Sequence, residues 1–211
     1  TYGYGYFQEG FNPLPQTKVL ITGNKFTIYK DQDYRVYFQT TGLLGIYVNE
    51  ELVPYDFDTD LNYQMIASIN LKEYTTENNI ELFLQYEDEY TETLNFTVKE
   101  ECFYDILNCV FINKYGYPQS FFLTKVKKTS TDIEGQDYRG LISEFGVYNT
   151  TAHQTVSFNI NGTDKVKANT DYLNEIENNI IKEMLLSESI WLIENDIINP
   201  VVLETKSLDY K

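Results

Sequence analysis

Between Thr17 and Lys99, short runs of alternating apolar and polar residues are interrupted, roughly every ten residues, by Gly and Asn. A chain punctuated this way has only strands of ordinary length to offer, each with one face to bury. Lys18 to Thr22 and Lys25 to Lys30 are split by Gly23-Asn24, a two-residue hairpin signal. Tyr34 to Thr40 sets Tyr34, Val36 and Phe38 on one face. Gly42 and Gly45 flank a break before Ile46 to Val48, and Asn49-Glu50-Glu51 turns the chain into Leu52 to Phe57. Tyr63 to Leu71 alternates through Met65, Ala67 and Ile69. Asn78-Asn79 precedes Ile80 to Tyr86, and Tyr90 to Val98 closes with Leu94, Phe96 and Val98. About seven or eight strands at this spacing predict an immunoglobulin-like β-sandwich over residues 17–100. No long helical pattern competes with that reading there.

Enough apolar material exists to fill such a sandwich and more. The chain has 211 residues, 42% of them hydrophobic, with 19 Tyr and 13 Phe, types that suit half-buried pleated surfaces. Ahead of the sandwich, residues 1–16 read differently. Tyr2, Tyr4 and Tyr6 alternate with Gly3 and Gly5, Phe7 follows, and Pro13 and Pro15 stiffen the exit. Glycine removes side-chain packing, so this aromatic arm has little to hold it by itself. It is either a docking arm, with Tyr2, Tyr4, Tyr6 and Phe7 as candidate contacts to a neighbouring subunit, or a disordered terminus.

Beyond residue 100 the pattern changes to one expected of an α+β domain over residues 101–211. Ile106 to Asn113 is a hydrophobic strand, Tyr115-Gly116-Tyr117-Pro118 a turn, and Ser120 to Val126 the returning strand. Thr129 to Gly140 reads as a polar loop. Gly146 to Tyr148 and Thr155 to Ile160 read as strands, with Asn161-Gly162 as a further turn. One amphipathic helix follows, capped by Thr170 or Asp171. Leu173, Ile176, Ile180 and Met184 recur along it at helical spacing, Ile181 and Leu185 widen the stripe, and Glu175, Glu177, Lys182 and Glu183 fill the outer surface. Ile190 to Ile193 and Val201 to Thr205 form a last hairpin around Glu194-Asn195-Asp196. The text stops at Lys211 in ordered-looking sequence, so more chain is expected after it. The fold class is therefore mainly β: an N-terminal immunoglobulin-like sandwich followed by an α+β domain with one amphipathic helix.

Few residues nominate chemistry. His153 is the one histidine, in the polar stretch Thr150 to Gln154, with no nucleophile or orienting acid marked beside it. No phosphate-binding glycine loop occurs between a strand and a helix. Asp56, Asp58 and Asp60 have the spacing that opens a calcium loop, but Leu61 stands where its glycine belongs and Ala67 where its glutamate belongs. Glu87-Asp88-Glu89 reads as a solvated turn. Cys102 and Cys109 lie seven positions apart, which on one strand points them to opposite faces, so two buried free thiols are expected. With one histidine they are too few for a structural zinc site. Asn95, Asn149 and Asn161 head glycosylation sequons that matter only in a eukaryotic secretory setting. No apolar run reaches membrane-spanning length, and no cofactor motif is present.

A formal charge of −16 sets 32 Asp and Glu against 16 Lys and Arg. The densest basic cluster, Lys125, Lys127 and Lys128, is too small to grip a duplex, so no direct nucleic-acid binding is expected. The acid surplus serves solubility, or it makes a surface that lets DNA pass without sticking.

The segment Phe111-Ile112-Asn113-Lys114-Tyr115-Gly116-Tyr117-Pro118-Gln119, followed by Phe121-Phe122, resembles a hairpin recurrent in tail structural proteins of bacteriophages infecting Bacteroidota, including crAss-like phages. So do Phe158 to Gly162, Asn169 to Tyr172, Met184 to Trp191 and Pro200 to Lys211. The resemblance covers residues 101–211. It implies a virion protein made in the bacterial host cytoplasm, present in many copies in a ring, hub or baseplate-like layer. Its partners would be other copies of itself and other tail proteins, and its acidic surface would suit the wall of a DNA conduit. Relatives of this type continue past the position of Lys211 with another strand. A rival reading is a surface sandwich module that binds host glycan or protein, since sugar rings stack on Tyr and Trp; Trp191, the one tryptophan, lies on an apolar strand and is more simply core. A third is an enzyme such as a cell-wall hydrolase, for which the abundant carboxylates would have to meet across a cleft.

Overall fold

The computed structural model describes residues 18–40, 44–54, 65–86, 89–100, 104–140, 143–144, 146–148, 151, 153–170, 173–195 and 197–205. The arm residues Tyr2, Tyr4, Tyr6 and Phe7 lie outside the described residues, as do Asp56, Asp58, Asp60, Glu87, Asp88 and Cys102. The chain is mainly β and divides into two compact units, residues 1–125 with 170–211, and residues 126–169.

In the first unit, two sheets form the sandwich. One holds β1 (Lys18–Val19), β3 (Arg35–Thr40) and β6 (Met65–Asn70) in the order β1-β3-β6. The other runs β2-β9-β7-β4-β5, from β2 (Lys25–Tyr29), β9 (Leu94–Lys99), β7 (Asn79–Tyr86), β4 (Leu44–Val48) and β5 (Glu51–Val53), with β8 (Glu89–Tyr90) beside β7. Apart from β2, which adds an edge strand parallel to β9, this order is that of the A, B, E strands facing the G, F, C, C′ strands of an immunoglobulin domain. Alternation fills the space between the sheets. Val36, Phe38, Ala67 and Ile69 come from one side, and Phe26, Ile28, Ile46, Val48, Ile80, Leu82, Leu84 and Phe96 from the other, all buried.

Gly23-Asn24 does not make the hairpin that its dipeptide signals. β1 pairs antiparallel with β3, whereas β2 pairs parallel with β9, so the turn carries the chain from one sheet to the other. Leu20 and Ile21 are both buried, which pins the connection inside. Gly23 has φ of 98°, and a Cβ there would stand 2.9 Å from the Ile176 side chain. Glycine serves the close approach as much as the turn. The β4–β5 connection is a true two-residue hairpin, with Asn49 (φ 51°) and Glu50 (φ 66°) both in the left-handed region of a type I′ turn.

A third sheet in this unit has the order β11-β10-β16-β17, from β10 (Leu107–Ile112), β11 (Pro118–Leu123), β16 (Ile190–Glu194) and β17 (Ile197–Val201). The helix α1 (Glu175–Leu185) packs on the β10 face that carries Cys109, whose Sγ lies 3.4 Å from Met184 Sδ. The apolar stripe is where the periodicity puts it: Ile180, Ile181 and Met184 are buried. The cap is Asn174, later than Thr170 or Asp171. Its side chain accepts from Glu177 N at 2.9 Å, and Glu177 Oε2 accepts from Asn174 N at 3.0 Å, a reciprocal box that satisfies two free N–H groups.

The two units do not part near residue 100, where a sandwich over 17–100 and a domain over 101–211 would separate. Cys109, Phe111, Phe121, Phe122, Ile180 and Ile190 belong to the same buried cluster as Phe26, Phe38 and Phe96. Phe122 lies edge-on to Tyr29 at 5.6 Å and tilted to Tyr34 at 6.0 Å. An apolar core shared this way removes any reason for a boundary there.

Polar groups complete the junction. Asn113, fully buried, donates from Nδ2 to Leu20 O at 2.8 Å, and its Oδ1 accepts from Tyr115 N at 3.0 Å and Tyr117 N at 3.1 Å. Gln119 accepts from Thr22 N and donates to Thr22 O, both at 3.3 Å. One asparagine thus shapes the β10–β11 turn and ties it to the segment between β1 and β2.

Phe111 is fully buried in this common cluster. Phe111→Ala is expected to cost about 3–5 kcal/mol, and guanidinium unfolding followed separately by Trp191 fluorescence and by far-ultraviolet circular dichroism should shift together. Separated transitions would show that the sandwich and the third sheet do not share a cooperative core.

Candidate interaction surface

The second unit, residues 126–169, is built on β12 (Lys128–Arg139) paired antiparallel with β15 (Thr155–Lys167). The ladder runs from Lys128 opposite Lys167 to Arg139 opposite Thr155, about 40 Å at a strand's rise per residue. Two short strands, β13 (Ser143–Glu144) and β14 (Val147–Tyr148), pair near its closed end. The polar loop read from Thr129 to Gly140 is therefore a strand, and Asn161-Gly162 is not a turn but lies inside β15, opposite Glu134 and Ile133. Its extra residue sits slightly earlier. Glu134 faces Asn161 and Gln136 faces Phe158, so β15 carries one more residue than β12 across that step, with Asn159 at φ 52°.

Every residue of β12 is exposed, and β15 is exposed except at Val156 and Lys165, which are half-buried. Apolar side chains lie on both faces of the ribbon. On one, Tyr138 (53% exposed) meets Phe158 with ring centroids 5.7 Å apart. On the other, Ile133 (71%) stands opposite Gly162, and Ile160 (60%) leans over Gly135. Across the ribbon, Lys165 Nζ lies 2.8 Å from Asp132, and Thr131 donates to Asp164 at 2.7 Å. An isolated two-stranded ribbon is marginal in water because neither face is covered and both outer edges keep free backbone groups.

Charge divides between the units. Residues 126–169 hold five Lys and Arg and five Asp and Glu, so the ribbon unit is formally neutral, and all of the −16 lies in the other unit.

In the first unit, a groove of ≈ 500 Å³ lies between the end of α1 and β17, lined by Leu185, Leu186, Ile190, Val201, Val202 and Leu203. On the same sheet, Ile197 and Ile198 are adjacent in β17, point to opposite faces, and are each more than 60% exposed.

Among the described residues, the types that would carry chemistry are dispersed. His153 is exposed. Among the described residues, no three of His, Cys, Asp and Glu come together as metal ligands would. Cys109 is buried and free, as the spacing predicts for a thiol, and desolvation pushes it up to about 12, so it is a protonated packing residue at neutral pH. Trp191 is half-buried on β16, between Val110 and Pro200 on the flanking strands. Asn95 and Asn161 are exposed on strands.

The one acid that departs from expectation is Glu183. The helical spacing places it on the outer surface, but it is only 5% exposed. Burial raises its pKa, while Thr22 and then Lys114, whose Nζ lies 3.6 Å away, pull it back. A helical stripe read from apolar residues alone misses it, because its neighbour is the β10–β11 turn, which approaches from the side. Glu183 faces Lys114, which follows Asn113 in that turn, so its role is to brace the same junction.

A raised carboxyl value makes the folded state bind more protons than the unfolded one between the ordinary 4.5 and the raised folded value. Stability contributed by this group is therefore greatest at the acid side of that window and falls as pH rises through it. Glu183→Gln is expected to remove that slope, seen in thermal midpoints taken at a series of pH values. Parallel curves for the two proteins would contradict the assignment.

No protein-family model matches the chain, and no curated protein or solved structure does so either.

Proposed function

We propose that this chain is a non-enzymatic structural subunit of a bacteriophage tail, one of many copies in a ring, hub or baseplate-like layer, where it binds its own copies and other tail proteins. The observation that carries the reading is the ribbon of β12 and β15, long and exposed on both faces. Such an element gains stability from an adjoining protein surface, as subunits of an assembly provide for one another. The likeness of residues 101–211 to phage tail proteins supplies the setting. Within it, the subunit is made in the host cytoplasm and resides in the virion; the buried free thiol at Cys109 suits synthesis in a reducing compartment.

Charge fits the same setting. With −16 concentrated outside the ribbon unit, the rest of the chain repels phosphates, as the wall of a DNA conduit must. Acidic side chains would then gather on the face lining the channel.

The purified full chain is expected to form closed rings or a defined oligomer, visible by light scattering and negative-stain electron microscopy, and to leave a DNA duplex unretarded in a gel at moderate salt. A protein that stays monomeric at all concentrations and is retained by glycans on an array would overturn the reading in favour of a host-binding surface module. A cleared zone on a cell-wall zymogram would overturn it in favour of a hydrolase.

A further inference from the structure

The exposed edge of the ribbon identifies a partner as well as a need for one. We propose that β12 pairs antiparallel with β12 of a second copy, about a two-fold axis near Ile133, to make a four-stranded sheet from two ribbons. The inference rests on the assembly reading and specifies one of its contacts.

The choice of edge comes from the backbone. β15 carries the bulge at Asn159, and an irregular edge resists further pairing. β12 runs twelve residues with no extra residue of its own, and among the described residues it pairs only with β15. A second strand on that edge satisfies its outward N–H and C=O groups and brings the sheet to four strands, beyond the marginal two.

The direction comes from charge. Residues 126–132 and 163–169, at the open end of the ribbon, carry Lys127, Lys128, Lys165 and Lys167 against Asp132 and Asp164. Residues 133–162, at the closed end, carry Arg139 against Glu134, Asp137 and Glu144. One half is formally +2 and the other −2. Two ribbons side by side in the same direction set like halves together, whereas antiparallel ribbons set each half against its opposite. The neutral ribbon is also the one unit through which two chains of charge −16 meet without net repulsion.

The register comes from the side chains. Residues directly opposite across an antiparallel pair must share a face, so a two-fold at Ile133 sets Ile133 against its own copy and Thr131 against Gly135. On the other face, Lys128 then lies opposite Tyr138 of the second copy, and an ammonium beside an aromatic ring is favourable. Asp132 meets Glu134 twice by the two-fold, and Lys127 meets Arg139; Lys165, 2.8 Å from Asp132, offsets the acidic pairs, and Asp137 of the second copy, diagonal to Lys127, offsets the basic ones. The exposed Ile133 becomes the centre of the contact, as a self-complementary interface requires.

The test uses the full chain with Cys102→Ser and one added cysteine. Ile133→Cys is expected to form a disulfide-linked dimer nearly completely under mild oxidation, because paired strands hold opposed Cβ atoms within bridging range. Thr163→Cys, on β15, is expected not to. Ile133→Lys, at a site already exposed, should leave the circular dichroism spectrum unchanged and weaken self-association at least tenfold. If the chain still forms rings while Ile133→Cys stays unlinked and Ile133→Lys associates normally, β12 pairing is overturned and the assembly reading stands. If the wild-type chain is monomeric and Ile133→Cys stays unlinked, both fall.

Discussion

The packing of the third sheet and α1 into the sandwich is the contact on which the rest of the first unit depends. A sandwich of strands two to eight residues long closes its own interior with Phe38, Phe96 and their neighbours. The third sheet has no second sheet of its own; α1 covers the Cys109 face, and Phe122 lies against Tyr29 and Tyr34 of the sandwich. Removing that contact would expose aromatic surface on both partners at once, each ring being among the largest apolar contributions a core can have. The polar ties from Asn113 and Gln119 to Leu20 and Thr22 make the packing directional, since a displaced turn would leave buried amides without partners. Glu183 and Lys114 brace the same turn from the helix side.

Where a strand has one buried face, the sequence announces it. Val36 and Phe38, and Ala67 and Ile69, alternate as the sequence indicates, and their strands lie where the alternation places them; Ile80, Leu82 and Leu84 alternate within the strand expected over Ile80 to Tyr86. The helix stripe is legible for the same reason. What fails is reasoning from local signals that tertiary contacts override. Gly23-Asn24 has hairpin chemistry, but the burial of Leu20 and Ile21 and the nearness of Ile176 direct the chain into the other sheet. Asn174 takes the cap in place of Thr170 or Asp171 because Glu177 answers it three residues on.

The ribbon escaped for a different physical reason. Alternation marks a strand only when one face is buried and the other wet, and β12 has neither face buried. Thr129, Thr131 and Ile133 are nonetheless β-branched at alternate positions, with Tyr138 further on, and Val156, Phe158 and Ile160 answer them across the ladder. Strand propensity without amphipathicity was the available signal. Polarity alone suggests irregular backbone there, whereas the backbone is a regular strand. The interaction residues expected from the sequence, Tyr2, Tyr4, Tyr6 and Phe7, lie outside the described residues, so the ribbon stands as a separate candidate.

In the proposed assembly, neutrality of the ribbon and acidity of the remainder would answer two demands that one uniform surface could not. Subunits of a crowded assembly must approach closely, which favours low net charge at the contact. A chain kept soluble before assembly, or set beside DNA after it, benefits from strong like charge elsewhere. Placing both demands on one surface would weaken each: a neutral body would lose its repulsion, and a ribbon at −16 would push its partner away. Confining the charge to residues 1–125 and 170–211 leaves 126–169 free to pair. The +2 and −2 halves of the ribbon then add orientation, because attraction between them favours one direction of approach over the other. The same apolar side chains that make a lone ribbon marginal, Ile133 above all, become stabilising once they are covered, so the exposure seen in the single chain and the stability of a paired one share a single cause.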